Sequence, residues 1–376
     1  MSNIDKKVRV LHIIGNLRFG GAQVVVKQIV ENSDPDHFEH YVYSLRPEPI
    51  ELTINGEIIK HHRIRYDLRK FSDLARTCKK KNIDIVHTHL YKSVLGGLLL
   101  TFFCPVKIIV HEHGPIFDAG ISSLIYGFWL RFLHSRSAKI IANSRTTALW
   151  LQKRSKIQSD RIHIIPNAAD LARFQHNGAT RTRLRKEYGL SDEAIVIGFI
   201  GRLHPTKGIS ALVQAMRILV KQNSLFHLFI VGDGPLKKSL NRKVHQLFLE
   251  NHIRFLGYRE DVSEIMNIFD ISCMPSQCEP FGIAAIEIMS MKIPLVCSCA
   301  GGLGEITEDR KTALHIREIT PEAIAESILE LSRDNSLRQK IAMNAFKSSQ
   351  QYSIENFVHN IETLYTQIVK PEKESS

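Results

Sequence analysis

Short apolar runs alternate with longer amphipathic stretches along the first half of the chain. The runs VRVLHII, IDIVHTH and VKIIVHEH are rich in β-branched residues, and the stretches between them, such as AQVVVKQIVE and YKSVLGGLLLTFF, have apolar positions at helical spacing. Strands that alternate with helices in this way are typical of βαβ units. The pattern therefore predicts an α/β fold with a parallel sheet.

The same alternation starts again after a polar, arginine-rich segment at residues 177–191. The runs AIVIGFIG, LFHLFIVG and IRFLG alternate there with the helical patterns SALVQAMRILVKQ and PLKKSLNRKVHQLFLE. At 376 residues the chain also exceeds what one hydrophobic core usually serves. We predict two doubly wound, Rossmann-like domains at 1–182 and 190–354, with a C-terminal helix at about 355–370 that packs back on the first.

Basic residues are concentrated in the first half of the chain. Residues 1–190 contain 30 Lys and Arg against 16 Asp and Glu, whereas residues 191–376 contain 20 against 22. Such an excess is compatible with phosphates, an anionic membrane surface or nucleic acid. No nucleic-acid-binding module and no interleaving of aromatic and basic residues accompanies it, so we expect no nucleic-acid partner.

Three features of the sequence bear on where the protein works. Its six cysteines include no C-x-x-C pair, which favours a reducing compartment. The apolar run near the N-terminus ends at Gly15 without a cleavage site, and the longest apolar stretch, residues 94–103, is about half of what spans a bilayer. We expect a cytoplasmic protein, with peripheral attachment to the inner face of the membrane left open.

Histidines and glycines mark the ends of predicted strands in the first domain. His87 and His89 end one strand and His111 and His113 end another, and spacing of two places both rings of a pair on one face. A metal site is one interpretation, but no acidic ligand motif completes it, and hydrogen-bonded strand-end histidines are the expected alternative. The loop after the first strand contains the adjacent glycines Gly20 and Gly21. They either form an ordinary turn or let a phosphate approach the backbone.

Two loops of the second domain carry charge at predicted strand ends. Arg202 and Lys207 lie on one strand-to-helix loop, where two cations suit a diphosphate or simply face solvent. A later loop carries Glu279 ahead of a helix, and Glu287 interrupts the apolar pattern of that helix. A carboxylate in such surroundings needs a cation or a ligand hydroxyl, so it indicates either a salt bridge or a binding site.

Together these loops resemble family-4 retaining glycosyltransferases of the GT-B fold, which have two facing Rossmann-like domains with a cleft between them. The motifs occur in the family order: GGAQ, HTHL, VHEHG, IANS, IPNAAD, GRLHPTKG, VGDGP, FLGYREDV, the paired glutamates and AGGLGEI. The resemblance extends from Val8 to about Asp309. Three departures are Ala168 in the Pro-Asn-Gly loop, Pro280 after the first glutamate, and residues 291–293 before Pro294.

The resemblance implies a nucleotide-diphosphate sugar as donor and a sugar or lipid-linked acceptor, with no cofactor and no metal. The implied catalytic residues are His113, Arg202, Lys207 and Glu279. The implied substrate-binding residues are Gly20, Gly21, His89, Asn143, Asn167, Gly201, Tyr258, Pro280, Phe281, Gly282, Ile283 and Glu287. In this scheme the cations and a helix N-terminus stabilise the leaving diphosphate while the acceptor attacks from the same face.

Two other functions fit the same architecture. A nucleotide-sugar 2-epimerase does not usually combine GRLHPTKG with the two glutamates, and a non-catalytic GT-B binding scaffold would not need every charged motif position filled. Turnover with a panel of nucleotide sugars separates these possibilities from a transferase.

An amphipathic stretch after His113 suggests a membrane-docking helix. Its apolar positions follow helical spacing and comprise Ile121, Leu124, Ile125, Phe128, Trp129, Phe132 and Leu133. Such a helix either lies in the membrane interface or packs on the sheet like any Rossmann helix. Six basic residues that flank another predicted helix would add attraction to anionic lipid: Arg69, Lys70, Arg76, Lys79, Lys80 and Lys81.

Overall fold

The computed structural model describes residues 6–17, 20–46, 54, 57–59, 69–114, 128, 131–132 and 139–369. Its strands are β1 Val8–Ile14, β2 Phe38–Ser44, β3 Glu57–Ile59, β4 Ile85–His89, β5 Lys107–Glu112, β6 Lys139–Ala142, β7 Ile162–Ile164, β8 Ile195–Ile200, β9 Phe226–Val231, β10 Ile253–Gly257, β11 Ile271–Met274, β12 Leu295–Ser298 and β13 Leu314–Ile316.

The helices of the described residues surround these strands and connect most of them. They are α1 Gly21–Asn32, α2 Arg69–Lys81, α3 Tyr91–Leu100, α4 Arg145–Ser155, α5 Gly178–Glu187, α6 Ile209–Gln222, α7 Lys237–Gln246, α8 Val262–Ile265, α9 Ile283–Ser290, α10 Leu303–Ile306, α11 Pro321–Arg333, α12 Asn335–Ser349 and α13 Ile354–Val369.

The strands form two separate parallel sheets, as the alternating pattern predicts. The first has the order β3-β2-β1-β4-β5-β6-β7, and the second has the order β10-β9-β8-β11-β12-β13. Both orders are those of doubly wound Rossmann-type sheets, in which the connections reverse direction between two central strands. The central strands are buried on both faces, which explains why their sequences read as nearly continuous apolar runs.

The chain divides into two compact units. One consists of the residues up to Ala168 together with those from Ile354 onward, and the other of Ala169–Ser353. The C-terminal helix α13 belongs to the first unit, where its buried residues Phe357, Ile361 and Tyr365 share a core with α1 and the first sheet. The chain therefore returns to the first unit after the second is complete.

The arginine-rich segment was expected to join the domains, but it contains helix α5, which belongs to the second unit. The boundary at 168 accordingly precedes the predicted one at 182. Arg181 and Arg185 bind the two carboxylate oxygens of Asp270 at 2.6 and 3.4 Å, and Arg185 also donates to the carbonyls of Ser191 and Ala194. These ion pairs hold α5 against the second sheet, so its polar composition reflects anchoring and not a linker.

Candidate active site

The connections of the second sheet reverse between β8 and β11, which are neighbours without being consecutive. Ligands of doubly wound sheets bind at the carboxyl ends of strands at such a point. The loop after β8 carries Arg202 and Lys207, and the loop after β11 carries Glu279. The fold thus brings the two charged loops identified in the sequence to one edge of one sheet.

These two loops touch through their backbones. The N–H of Gln277 donates to the carbonyl of Thr206 at 2.8 Å. Gly208 has φ 66°, and a Cβ added there would lie 1.9 Å from the carbonyl oxygen of Pro275. A side chain is excluded at this position by both conformation and space, so the last glycine of GRLHPTKG is required for the loops to meet.

Lys207 and Glu279 form an ion pair where the loops meet. The Nζ of Lys207 donates to Oε2 of Glu279 at 2.6 Å, and Oγ of Ser276 lies 3.4 Å from the same oxygen. Glu279 is buried and Lys207 is partly buried. Both contacts use Oε2, so Oε1 is left without a hydrogen-bond partner among the described residues. The lysine also retains two further N–H donors.

The backbone around Glu279 is held by the next loop and leads into helix α9. The N–H of Gly302 donates to the carbonyl of Glu279 at 2.7 Å, and Gly282, with φ 106°, precedes the first residue of the helix, Ile283. The first N–H groups of a helix have no partner within it and favour an anion. The loop therefore aims a helix N-terminus and a carboxylate at the same edge of the sheet.

Glu287 lies one turn into α9 and is partly buried. Burial raises the pKa of its carboxyl to about 8, while Arg173 lowers that pKa and Asp170 raises it. Within the described parts of the chain, its side chain accepts no hydrogen bond and forms no salt bridge. The structure therefore contradicts the salt-bridge interpretation of Glu287, and the carboxyl of Glu287 is available to a ligand.

The remaining predicted residues of the second unit lie on the loops that follow β8, β10 and β11. Arg202 is exposed, Tyr258 follows β10 and is 52% exposed, and Ile283 is partly exposed at the start of α9. Phe281 is buried and packs edge-on against Tyr352 at 5.9 Å, which makes it a support of the loop. The other three predicted positions, Gly201, Pro280 and Gly282, contribute backbone to the two loops.

The first unit presents a different surface at the carboxyl ends of its strands. Strand register places His12 opposite His87, and His89 opposite His111. On the same face, toward the strand beginnings, lie Val10, Ile85 and Ile109, which pack against α13. One face of the first sheet therefore changes from apolar residues to histidine along its strands. We call the six side chains there the histidine layer: His12, His40, His87, His89, His111 and His113.

Four rings of the histidine layer form one hydrogen-bonded chain. Nδ1 of His40 lies 2.9 Å from Nε2 of His12, Nδ1 of His12 lies 3.1 Å from Nε2 of His89, and Nδ1 of His89 lies 3.2 Å from Nε2 of His113. Neutral imidazoles that share one tautomer satisfy all three contacts. Burial lowers the pKa of His113 to about 3 and that of His40 to about 4, which keeps both rings neutral.

The predicted ligand residues of the first unit differ in whether their buried polar atoms have hydrogen-bond partners. His89 is fully buried with both nitrogens engaged, whereas Nδ1 of His113 has no partner among the described residues. Asn143 donates to the carbonyl of His113 at 3.0 Å and accepts from Thr147 at 2.8 Å, so its amide fixes the loop that carries His113. The Oδ1 of Asn167, which is buried, has no hydrogen-bond partner in the described regions.

Gly20 and Gly21 mark the beginning of helix α1. The carbonyl of Gly20 accepts from the N–H of Val24 at 3.1 Å, and a Cβ added at Gly21 would meet nothing within 4 Å. Neither residue has the left-handed conformation that requires glycine. A Cβ added at Gly20 would lie 2.5 Å from Oε1 of Gln23, so the space at this helix N-terminus is open at Gly21 but not at Gly20. The phosphate interpretation of the pair therefore stays a prediction.

His12, His40 and Tyr365 were not singled out from the sequence. His12 contacts the predicted His89, and His40 contacts His12. The hydroxyl of Tyr365 lies 2.7 Å from Nδ1 of His87 across 278 positions of sequence. The signal that pointed toward the histidines was their recurrence within predicted strands. The stripe predicted to dock on a membrane lies outside the described residues apart from Phe128 and Phe132. No helix within the described ranges is long and apolar enough to span a bilayer.

Comparison with known families covers both units. The sequence profile described as Glycosyltransferase Family 4 matches residues 19–173, and the profile described as Glycosyl transferases group 1 matches residues 180–348. The two matches follow one another along the chain, so each profile accounts for most of one compact unit.

Individual proteins match over nearly the whole chain. N-acetyl-alpha-D-glucosaminyl L-malate synthase of Bacillus anthracis is 25% identical, with 94% of this chain and 96% of that protein covered. UDP-Gal:alpha-D-GlcNAc-diphosphoundecaprenol alpha-1,3-galactosyltransferase of Escherichia coli is 22% identical, with 98% and 99% covered. The crystal structure of Anabaena HepE in complex with UDP and glucose has a TM-score of 0.83 at 22% identity, with 94% and 98% covered, so the two proteins share a fold.

Proposed function

Because the chain belongs to the family-4 glycosyltransferases of the GT-B fold, we propose that it transfers a hexosyl-type sugar from a nucleotide-diphosphate sugar with retention of configuration. The observation that carries this proposal is the meeting of Lys207, Glu279 and the N-terminus of α9 at the switch point of the second sheet. The HepE structure contains UDP and glucose, which supports a nucleotide-sugar donor for this chain as well.

Departure of the nucleoside diphosphate needs charge stabilisation more than a proton donor. Lys207 can direct its two remaining N–H groups to phosphate oxygens, and the exposed guanidinium of Arg202 can bind two oxygens at once. The N–H groups at the start of α9 add partial positive charge. These groups together can supply the positive charge that the departing diphosphate needs, so we propose that no metal or cofactor acts on the diphosphate.

The two glutamates hold different parts of the donor in this scheme. Glu279 keeps Oε2 on Lys207 and offers Oε1 to a sugar hydroxyl, which fixes the reacting ring relative to the diphosphate. Glu287, which has no side-chain partner in the described residues, accepts the ribose hydroxyls. In the first unit, His113 offers Nδ1 to the sugar. The acceptor then attacks beside the leaving phosphate, which takes up its proton.

The acceptor is proposed to be lipid-linked or part of a cell-envelope glycan, with the first unit docked on an anionic membrane. The relative from Escherichia coli is named for a diphosphoundecaprenol-linked acceptor. Leu99, Phe102 and Phe103 are exposed near the end of α3, and Lys79 and Lys80 are exposed at the end of α2, which packs on α3. Exposed aromatic residues beside lysines suit an interfacial contact with anionic lipid.

A panel of nucleotide sugars tests the function directly. Purified protein is incubated with UDP- and GDP-linked hexoses, with and without lipid-linked and soluble sugar acceptors, and the anomeric configuration of each product is determined by NMR. Retention in an acceptor-dependent product is expected. Epimerisation of the donor without an acceptor would indicate the 2-epimerase instead, and donor binding without turnover under all conditions would indicate a binding scaffold.

A further inference from the structure

Three rings of the histidine layer converge at its centre. His12, His87 and His89 are fully buried, and one ring nitrogen of each lies within 4.8 Å of the others. The 3.1 Å between Nδ1 of His12 and Nε2 of His89 is close to the roughly 3.3 Å edge of a tetrahedron whose metal–nitrogen bonds are about 2.0–2.1 Å. We propose that these three side chains bind a divalent transition-metal ion such as Zn²⁺, through His12 Nδ1, His87 Nε2 and His89 Nε2.

In each of the three rings, the nitrogen that is not assigned to the metal already has a hydrogen-bond partner. Nε2 of His12 lies 2.9 Å from His40, Nδ1 of His87 lies 2.7 Å from the Tyr365 hydroxyl, and Nδ1 of His89 lies 3.2 Å from His113. Metal-binding histidines almost always use their second nitrogen in this way, because it fixes the tautomer and the ring orientation. Nε2 of His87 has no hydrogen-bond partner among the described residues, and a metal would occupy it.

A second triad, His89 with His111 and His113, also brings its nitrogens within 4.8 Å of one another. It lacks the surrounding contacts of the first, because both nitrogens of His111 and Nδ1 of His113 have no partner in the described residues. His89 contributes Nε2 to the first triad and Nδ1 to the second. The orientation of the rings by His40, Tyr365 and His113 therefore favours the first triad.

The donor set defines the class of ion. Three neutral imidazoles, without a carboxylate or thiolate, suit Zn²⁺, Cu²⁺, Ni²⁺ or Co²⁺ and do not suit Mg²⁺ or Ca²⁺, which prefer oxygen. Neutral imidazole is also the form of histidine that binds a metal. The carboxyl of Glu112, which follows His111 at the end of β5, faces the other side of the sheet by strand alternation.

Metal binding has a consequence for His113, which rests on the proposed function. A metal on Nε2 of His89 leaves the proton of that ring on Nδ1, from which it donates to Nε2 of His113. The proton of His113 is then on Nδ1, the nitrogen without a partner in the described residues. The ion would thus make His113 a hydrogen-bond donor toward the sugar and would act as a positioning group without touching the diphosphate.

The test measures metal content in full-length protein purified without a polyhistidine tag. Protein stripped by prolonged dialysis against a chelator is given Zn²⁺, passed through a desalting column and analysed by mass spectrometry of the elements. About one Zn²⁺ per chain is expected, and Co²⁺ in its place should give the visible absorption of a four-coordinate ion. Wild-type protein that retains neither ion would overturn the proposal. Because no sugar donor is present, failure here leaves the proposed transferase activity untouched.

Variants locate the ion within the histidine layer. His12→Gln should lose it, whereas His111→Gln and the control His227→Gln, on β9 of the second unit, should keep it. Tyr365→Phe removes only the hydroxyl contact to His87 and should weaken Zn²⁺ binding by about 10–100-fold. This variant tests the proposal even if His12→Gln fails to fold. Loss of the ion in His111→Gln with retention in His12→Gln would place it in the other triad and refute the assignment. Full Zn²⁺ affinity in Tyr365→Phe would also count against it.

Discussion

Breaking the ion pair of Lys207 and Glu279 should lower the free energy of unfolding of the second unit, and substitution of the lysine should cost more than substitution of the glutamate. Side-chain exposure is 23% for Lys207 and 10% for Glu279, so the pair lies between a surface pair, worth up to about 1 kcal/mol, and a buried pair, where removal of one partner costs about 3–5 kcal/mol. Lys207→Met leaves a buried carboxylate unpaired and should cost about 2–3 kcal/mol. Glu279→Gln leaves a lysine that can turn toward water and should cost about 1 kcal/mol.

A double-mutant cycle in urea isolates the interaction between the two side chains. The double variant should lose less stability than the two single variants together, with a coupling free energy of about 1–2 kcal/mol. Both tryptophans, Trp129 and Trp150, belong to the sequence of the first unit. The midpoint of the transition followed by their fluorescence should therefore stay the same, while the midpoint of the circular dichroism transition of the second unit moves to lower urea. Lys237→Met is the matched control, because its ammonium pairs with the exposed Asp233 at 2.7 Å and should cost less than about 1 kcal/mol.

The Lys207→Met variant should also have a lower kcat. If Lys207 stabilises charge on the leaving diphosphate at an effective dielectric constant of about 20, its loss removes on the order of 4 kcal/mol and lowers kcat by about 10³-fold. A coupling free energy below about 0.5 kcal/mol together with an unchanged kcat would refute the reasoning, because the pair would then be neither structural nor catalytic.

The remaining predictions concern the donor, the cations, pH and the membrane. Glu279→Ala should mainly lower kcat and Glu287→Ala should mainly raise the donor KM; small, equal effects in steady-state kinetics would contradict their separate roles. Arg202→Ala should lose at least about 10²-fold in rate, whereas brief EDTA treatment should change little; inactivation reversed by Mg²⁺ or Mn²⁺ would argue for a metal on the diphosphate. Because the pKa of Glu287 is raised to about 8, its contribution to stability is full at pH values below about 4.5 and is lost as pH rises toward 8, so Glu287→Gln should flatten that fall in urea titrations; an unchanged slope would show that the carboxyl is ionised at neutral pH. Wild-type protein should sediment with anionic but not neutral liposomes, less so in high salt or after Lys79→Glu with Lys80→Glu; wild-type protein left in the supernatant at low salt would direct the search to soluble acceptors.

Some of the architecture was predictable because it depends on local chemistry. Parallel strands buried on both faces need apolar residues at every position, and the amphipathic helices that cover them need one apolar stripe, so VRVLHII followed by AQVVVKQIVE identifies a βαβ unit without tertiary information. Chain order also places Lys207 and Glu279 after strands, and the carboxyl ends of parallel strands share an edge. The sequence alone therefore determined the two doubly wound sheets and the charged loops at the edge of the second.

Tertiary structure decided what depends on contacts between distant parts of the chain. The polar, arginine-rich composition of α5 predicted a linker between the domains. The ion pairs of Arg181 and Arg185 with Asp270 show instead that α5 belongs to the second unit. Strand register aligned His12 with His87, and the return of α13 brought Tyr365 to the same place. A shift of one residue in register would turn a histidine to the opposite face, and no local pattern specifies which of two distant strands will be neighbours. The histidine layer is for that reason a property of the folded sheet.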